Sequence, residues 1–239
     1  RCSTSTPLLI LPPRHVFTML EIACFNASSA IAAAEAGAER IELCADYAAG
    51  GVTPSVDACN EIRKATTKPI NVMIRPRPGD FVYTTSQHYQ MKLDILNFKP
   101  VASGFVFGIL DSENRVDEAR NRELVDMAAG LPCTFHRAFD TVPDQAEAVE
   151  SLIRCGFTSI LTSGGPADAV CGAGNVARLQ EDFGDRIAFI LGGGVRSSNL
   201  TALREQTNVP WYHSAAITQP GEMVDPDEVS KLQSILQDK

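Results

Sequence analysis

The sequence has no CxxC or CxxxC pair, so the usual thiolate spacing of a zinc finger is missing. It has no apolar run near the roughly 18 residues that a membrane span needs, and no membrane partner is expected. It is short of positive charge: 21 Lys and Arg stand against 29 Asp and Glu, a net charge of −8. That balance argues against a nucleic acid or an anionic membrane as partner. The acidity is spread along the chain and reads as a solvated surface. There is no internal repeat, no low-complexity segment and no linker that would split the chain. What remains is 239 residues, 44% hydrophobic, enough for one large core in a single domain.

The seven cysteines are an odd number and lack the dense framework of a small secreted domain. Cys24, Cys44, Cys133 and Cys155 lie in or beside apolar segments, while Cys59, Cys155 and Cys171 sit in helical or loop segments and read as structural. The expectation is reduced thiols in the cytoplasm. Residues 1–18 are set aside from the fold as an extension, disordered or foreign to it. Their apolar stretch Leu8–Leu11 is too short for a typical signal-peptide core, and no A-x-A pattern follows.

From Met19 onward apolar strands alternate with helical segments. Eight strands are read: Leu20–Cys24, Arg40–Cys44, Ile70–Arg75, Gly104–Leu110, Cys133–Arg137, Ser159–Thr162, Ile187–Leu191 and Trp211–Ser214. Ser28 or Ser29 caps an alanine-rich helix ending at Gly37, Thr53-Pro54 opens another, Asp140/Thr141 precede one that runs to Gly156, and Asp225 precedes Pro226–Gln237. The strands are short and mostly uncharged, as when both faces are covered. Eight βα units in about 220 residues is what a (β/α)8 barrel requires. A doubly wound open sheet would want a glycine fingerprint after the first strand, and Cys24-Phe25-Asn26-Ala27 is not one.

Several strands end in polar groups, and such barrels carry their reactive groups at the carboxyl ends of the strands. His136-Arg137-Ala138-Phe139-Asp140 ends the fifth strand, and Arg75-Pro76-Arg77 the third. Alternation places Glu21, Glu42 with Cys44, Asn71 with Met73 and Arg75, and Thr134 with His136 on inward faces. Charges held inside a barrel need pairing. For Glu21 a structural ion pair is the favoured reading. For His136 an acid/base role is favoured, and for Arg75 and Arg77 contact with a substrate anion. Ser163-Gly164-Gly165 and Gly192-Gly193-Gly194 follow strands six and seven. They read either as an anion cradle or as tight turns. Cys24 and Cys44 end neighbouring strands, and two thiolates that close can hold Cu(I), form a disulfide, or pack as small apolar groups. Parity is a difficulty for the pair, since Cys24 lies three residues after Glu21 and should face outward. His213 is a further candidate at the end of strand eight.

Long ordered stretches resemble the CutC copper homeostasis proteins. They are Leu20–Cys24, Ala38–Cys44, Gly50–Ser55, Val72–Arg77 with Gly79–Phe81, Thr134–Asp140, Ile160–Gly165 and Gly192–Val195. The resemblance implies a TIM barrel, a homo-oligomer (dimer or tetramer), and intracellular copper handling with Cu(I) bound by thiols that match Cys24 and Cys44. The chain departs from the family where Pro78 stands in place of the usual glycine. Two functions follow. One is Cu(I) binding through Cys24 and Cys44. The other is an isomerase, lyase or hydrolase acting on a phosphorylated or carboxylated metabolite. In it Arg75 and Arg77 clamp the anion, His136 moves a proton, and Glu42 or Asp140 serves as its partner. Ser163, Gly164, Gly165, Gly193 and Gly194 would complete the anion site.

Overall fold

A computed structural model describes residues 17–165 and 168–238. Eight parallel strands close into a barrel in sequence order: β1 (Met19–Cys24), β2 (Arg40–Leu43), β3 (Ile70–Met73), β4 (Gly104–Phe107), β5 (Cys133–Phe135), β6 (Ser159–Thr162), β7 (Ala188–Leu191) and β8 (Trp211–Ser214). Register against β8 closes the ring, with Glu21 opposite His213 and Ile22 opposite Ser214. Helices α1 (Ala27–Glu35), α2 (Val56–Ala65), α3 (Thr85–Phe98), α4 (Glu118–Ala128), α5 (Gln145–Cys155), α6 (Ala169–Phe183), α7 (Leu200–Thr207) and α8 (Pro226–Gln237) follow the strands in turn. The (β/α)8 reading of the sequence therefore holds. Residues 1–16, most of the segment set aside as an extension, lie outside the described residues.

The strands stop short of the sequence reading at Cys44, Arg75, Leu110 and Arg137, because the chain turns into the rim loops there. The caps also moved. Asn26, not Ser28 or Ser29, caps α1 by accepting from Ser29 N. Ser55 caps α2, and Thr53 instead accepts from the backbone N–H of Arg75, tying the second loop to the third. After β5 a single 3-10 turn (Arg137–Thr141) comes first, and Asp144 then caps α5. Each shift has one cause: a short polar side chain nearer the first helical N–H group wins the bond.

Outward side chains of the strands form the main core with the helices, including Leu20, Ile22, Cys24, Ile41, Leu43, Phe105, Phe107, Phe135 and Phe189. Inside the barrel the filling is polar for this fold, where branched apolar residues usually dominate. Glu21 meets Arg40 and His213, and Thr134 bonds Ser159 at 2.7 Å. Gly104 sits opposite Asn71 in register, and a Cβ there would lie 2.6 Å from Asn71 Oδ1. A larger residue on β4 would displace that amide. The loop after β6 is equally tight, since a Cβ on Gly172 of α6 would fall 1.7 Å from the carbonyl oxygen of Ser163.

Candidate active site at the barrel mouth

The carboxyl ends of the strands surround a cavity of about 130 Å³, lined by Glu42, Cys44, Gly50, Met73, Arg75, Phe81, His136, Arg137, Leu161 and His213. Five of the eight strands or the loops after them contribute. Three buried polar atoms in this lining have no hydrogen-bond partner among the described residues: Glu42 Oε1, Arg75 Nε and His136 Nε2. Buried polar groups are nearly always satisfied. Three exceptions around one cavity mark it as built for something polar.

Arg75 is pinned. Its Nη1 donates to the carbonyls of Ala49, Gly50 and Gly51, and its Nη2 to that of Gly79. The guanidinium also lies over the Phe81 ring at 5.1 Å. Nε is the one guanidinium nitrogen with no partner, and both terminal nitrogens are held by loop carbonyls, so Arg75 does not present the free end-on fork expected of an anion clamp. Arg77 leaves the mouth altogether. It bonds Asp80 and the Pro78 and Val82 carbonyls and stacks over Tyr83.

His136 is buried between Phe81 and Phe135, with ring centroids at 4.8 and 5.9 Å. Its Nδ1 accepts from Ala138 N at 3.3 Å, which places the ring proton on Nε2. Burial, and then the positive charge of Arg75, hold its pKa down at about 3, so the ring is neutral at physiological pH. Gly108 makes the space, since a Cβ there would stand 2.7 Å from the ring. Neither Glu42 nor Asp140 hydrogen-bonds His136. Asp140 turns the other way and accepts from Arg137 Nε, Thr162 Oγ1 and both the N–H and hydroxyl of Ser163. It braces the loop after β6.

Glu42 faces inward as alternation requires. Its Oε2 accepts from Cys44 Sγ at 3.5 Å and lies 3.8 Å from His213 Nε2. Burial raises its pKa, with the nearby Glu21 charge adding to the effect, while His213 opposes it. Behind it His213 Nδ1 meets Glu21 Oε1 at 2.7 Å. Burial disfavours a charge on His213, but the two carboxylates outweigh that and raise its pKa. Burial likewise works to raise Glu21, yet Arg40 and His213 bring it down to about 2. Arg40 itself stacks on Trp211 at 3.7 Å. A chain of alternating charges thus runs up the barrel axis: Arg40, Glu21, His213, Glu42. Glu21, Glu42 and His213 offer ligand atoms within 4.8 Å of one another, but Glu21 is already satisfied by its two partners.

Cys24 and Cys44 diverge. Cys24 packs with Leu20 and Ile22 in the outer core, while Cys44 packs with Met73, Val106 and Phe25 in the mouth. Only the backbones meet, Cys44 N donating to Cys24 O at 2.8 Å. Burial, reinforced by Glu42, pushes both thiols well above the usual range. Native alkylation at pH 8 is therefore expected to label exposed Cys171 among the described cysteines and spare Cys24, Cys44, Cys59, Cys133 and Cys155 until denaturant is added. Peptide mapping checks this, and rapid labelling of Cys44 would show a more open mouth.

The glycine loops meet at the rim. Gly164, Gly165, Gly193 and Gly194 all have positive φ. A Cβ on Gly193 would lie 3.0 Å from Ser163 Cβ and 3.2 Å from Arg137 Cζ. Arg137, whose Nη2 bonds Ser163 Oγ, is thus the cation beside both loops. Sequence reasoning left three lining residues unassigned, Gly50, Phe81 and Leu161. A signal was present: all three lie in stretches that carried the resemblance.

Strand order, closure and a polar mouth define the class: a (β/α)8 barrel with its candidate site at the carboxyl ends of the strands. Residues 18–218 match the model of the CutC family. A human copper homeostasis protein cutC homolog is 38% identical over 199 residues, spanning 83% of this chain and 73% of that one. A CutC family protein of Agrobacterium fabrum is 40% identical over 223 residues, 92% of this chain and 87% of its own. The crystal structure of a CutC protein from Streptococcus agalactiae superposes with a TM-score of 0.79 at 32% identity, covering 83% of this chain and 98% of that one. The chain belongs to the CutC family. Among its described residues no helix is long and apolar enough to cross a membrane.

Proposed function

We propose that the barrel mouth binds and acts on a small anionic metabolite by acid/base chemistry. The observation that carries this is the trio of buried, unpartnered polar atoms, Glu42 Oε1, Arg75 Nε and His136 Nε2, in residues lining one cavity. Single unpartnered buried atoms occur elsewhere in the described residues, on Arg40, Tyr83, His88, Gln180 and Gln233, and it is the gathering of three around one cavity that supports a ligand here. The phosphoryl or carboxyl end of the ligand is assigned to Arg137 and the loops of Ser163, Gly164, Gly165, Gly193 and Gly194. The reacting end enters between His136 and Glu42. Asp140 holds Arg137 in place, and Arg77 takes no part. The test is thermal shift across phosphorylated and carboxylated C3 to C6 metabolites, on wild type and His136→Phe. A ligand at a hundred times its Kd adds about 2.7 kcal/mol of stability. The expected result is a shift in wild type that the variant loses. No shift with any compound, or equal shifts in both proteins, refutes the reading.

A second reading is Cu(I) binding through cysteine thiols, by which the chain would serve copper homeostasis as the human relative's name says of that protein. A specific observation favours it: the sulfur-bearing side chains of Cys44 and Met73 share the mouth with the His213 imidazole, a soft donor set of the kind that suits Cu(I). Cys24 would join only after the first strand's end rearranges. The free thiols of the described residues suit a reducing compartment such as the cytoplasm. Anaerobic competition with a chromogenic chelator tests the reading. One tightly held Cu(I), lost in Cys44→Ser, supports it, and loss in Cys24→Ser as well means both thiols bind. Binding that survives Cys24→Ser/Cys44→Ser assigns the copper to other cysteines and refutes it.

A further inference from the structure

We infer that the substrate of this mouth is a carbonyl compound, from which Glu42 removes the proton on the carbon next to the carbonyl while His136 and Arg75 hold the oxygen. The inference rests on the reading of the mouth as a metabolite site and narrows it to one class of substrate and step.

The donors decide the class. An anion such as phosphate is best held by a fork of N–H groups, and both terminal nitrogens of Arg75 are tied to backbone carbonyls. The nitrogens left without any partner are Nε of Arg75 and Nε2 of His136, each in a buried side chain. Two single, fixed donors match an oxygen on which charge develops during reaction, because they cost no reorganisation at that moment. His136 is locked for the task. Its Nδ1 is occupied by the Ala138 backbone N–H, and its ring is wedged by Phe81 and Phe135. A neutral imidazole donates without first protonating the substrate, a pattern known from other barrel enzymes.

The acceptor is Glu42. One carboxylate oxygen is engaged by Cys44 and faces His213, and the other is unpartnered. Burial raises its pKa, which makes it the stronger proton acceptor. The cavity, about 130 Å³, is worth roughly four water volumes. It admits the reacting end of a molecule and leaves the rest at the Arg137 rim.

In the step, a Glu42 oxygen takes the proton. The C–H electron pair becomes the carbon–carbon double bond, and the carbonyl π pair moves onto oxygen as an enolate. The two N–H donors stabilise that oxygen and keep their protons. Once Glu42 has exchanged its proton with solvent, return of a solvent hydrogen to the same carbon restores the carbonyl compound in labelled form. No oxidant or reductant is needed.

The test is deuterium wash-in. Dihydroxyacetone phosphate and pyruvate are incubated in D2O with wild type, Glu42→Gln and His136→Phe, and C–H loss is followed by NMR beside binding measured by chemical-shift perturbation. At least one probe is expected to bind wild type and to exchange above the buffer rate. Exchange should fall by about 10² to 10⁴ in Glu42→Gln with binding retained, and by about 10² to 10³ in His136→Phe. Near-ultraviolet circular dichroism verifies that both variants fold. Binding without exchange above buffer overturns this inference and leaves the metabolite site standing. Failure of both probes to bind overturns it as well, while the wider panel of metabolites still decides whether the mouth takes a ligand. Exchange unchanged in Glu42→Gln removes Glu42 as the base and overturns it too.

Discussion

Replacing Glu21 by alanine is expected to lower the unfolding midpoint by about 10 °C, the largest effect of any single charge in the barrel. Glu21 is 1% exposed and is held by Arg40 on one oxygen and His213 on the other. Removing it strands Arg40 and leaves His213 with Glu42 alone. Breaking a buried pair in this way costs about 3 to 5 kcal/mol, mostly through the charge left uncompensated. In a chain of this length each kcal/mol moves the midpoint by about 2 to 4 °C. The lowered pKa of Glu21, brought down by Arg40 and His213 against the effect of burial, agrees in direction. Glu21→Leu combined with Arg40→Met should recover part of the loss, since apolar replacements of similar volume leave no orphan charge. A midpoint within about 2 °C of wild type in Glu21→Ala would mean that water reaches Arg40 and His213, and that the network is not buried in solution.

Acid should weaken the fold in two overlapping windows, and His136 sets the upper one. Its native pKa of about 3 compares with about 6.5 in an unfolded chain. Between those values the unfolded chain binds a proton that the native state refuses. Stability from this group is therefore complete above about pH 6.5 and lost as pH falls toward 3, at about 1.4 kcal/mol per unit. Glu21 behaves alike lower down. Its contribution is complete above about 4.5 and lost toward 2. His213 and Glu42, whose pKa values are raised, hold their protons more tightly in the native state and oppose the slope. The comparison with His136→Gln cancels those terms. Unfolding free energies from urea at pH 6.5, 5.5 and 4.5 should show wild type losing roughly 2 kcal/mol relative to the variant across the range. Parallel pH profiles would show that His136 protonates normally in the native state, and the neutral-donor role would fail with it.

Legibility from sequence differed by kind of residue. The inward set of β1 and β2, Glu21, Glu42 and Cys44, followed from alternation, and the structure places all three inside the barrel or its mouth. Parity also placed Cys24 outward, where it packs. The bounds of α8 followed from Asp225 and the proline after it, a cap and a first-turn residue adjacent in sequence. Arg75 was legible as an inward mouth residue but not as a spent one, because its partners come from two loops whose courses no local rule supplies. Asp140 was read as a partner for His136. It went instead to Arg137 and Ser163, since the 3-10 turn after β5 swings it toward the loop of β6.

The sequence alone determined the eight βα units, their order, the inward and outward faces of β1, β2, β3 and β5, and membership of a family whose motifs span most of the chain. These depend on periodicity and on signals a few residues apart, which a single chain carries locally. Only the tertiary structure decided which polar atoms end up satisfied. Glu21 meets His213 across 192 residues because β8 closes against β1. Glu42 Oε1, Arg75 Nε and His136 Nε2 are left unpartnered around one cavity because closure brings β2, β3 and β5 to a common mouth while the loops claim their other atoms. Pairing across a closed barrel is a property of the whole ring, and no stretch of the chain contains it.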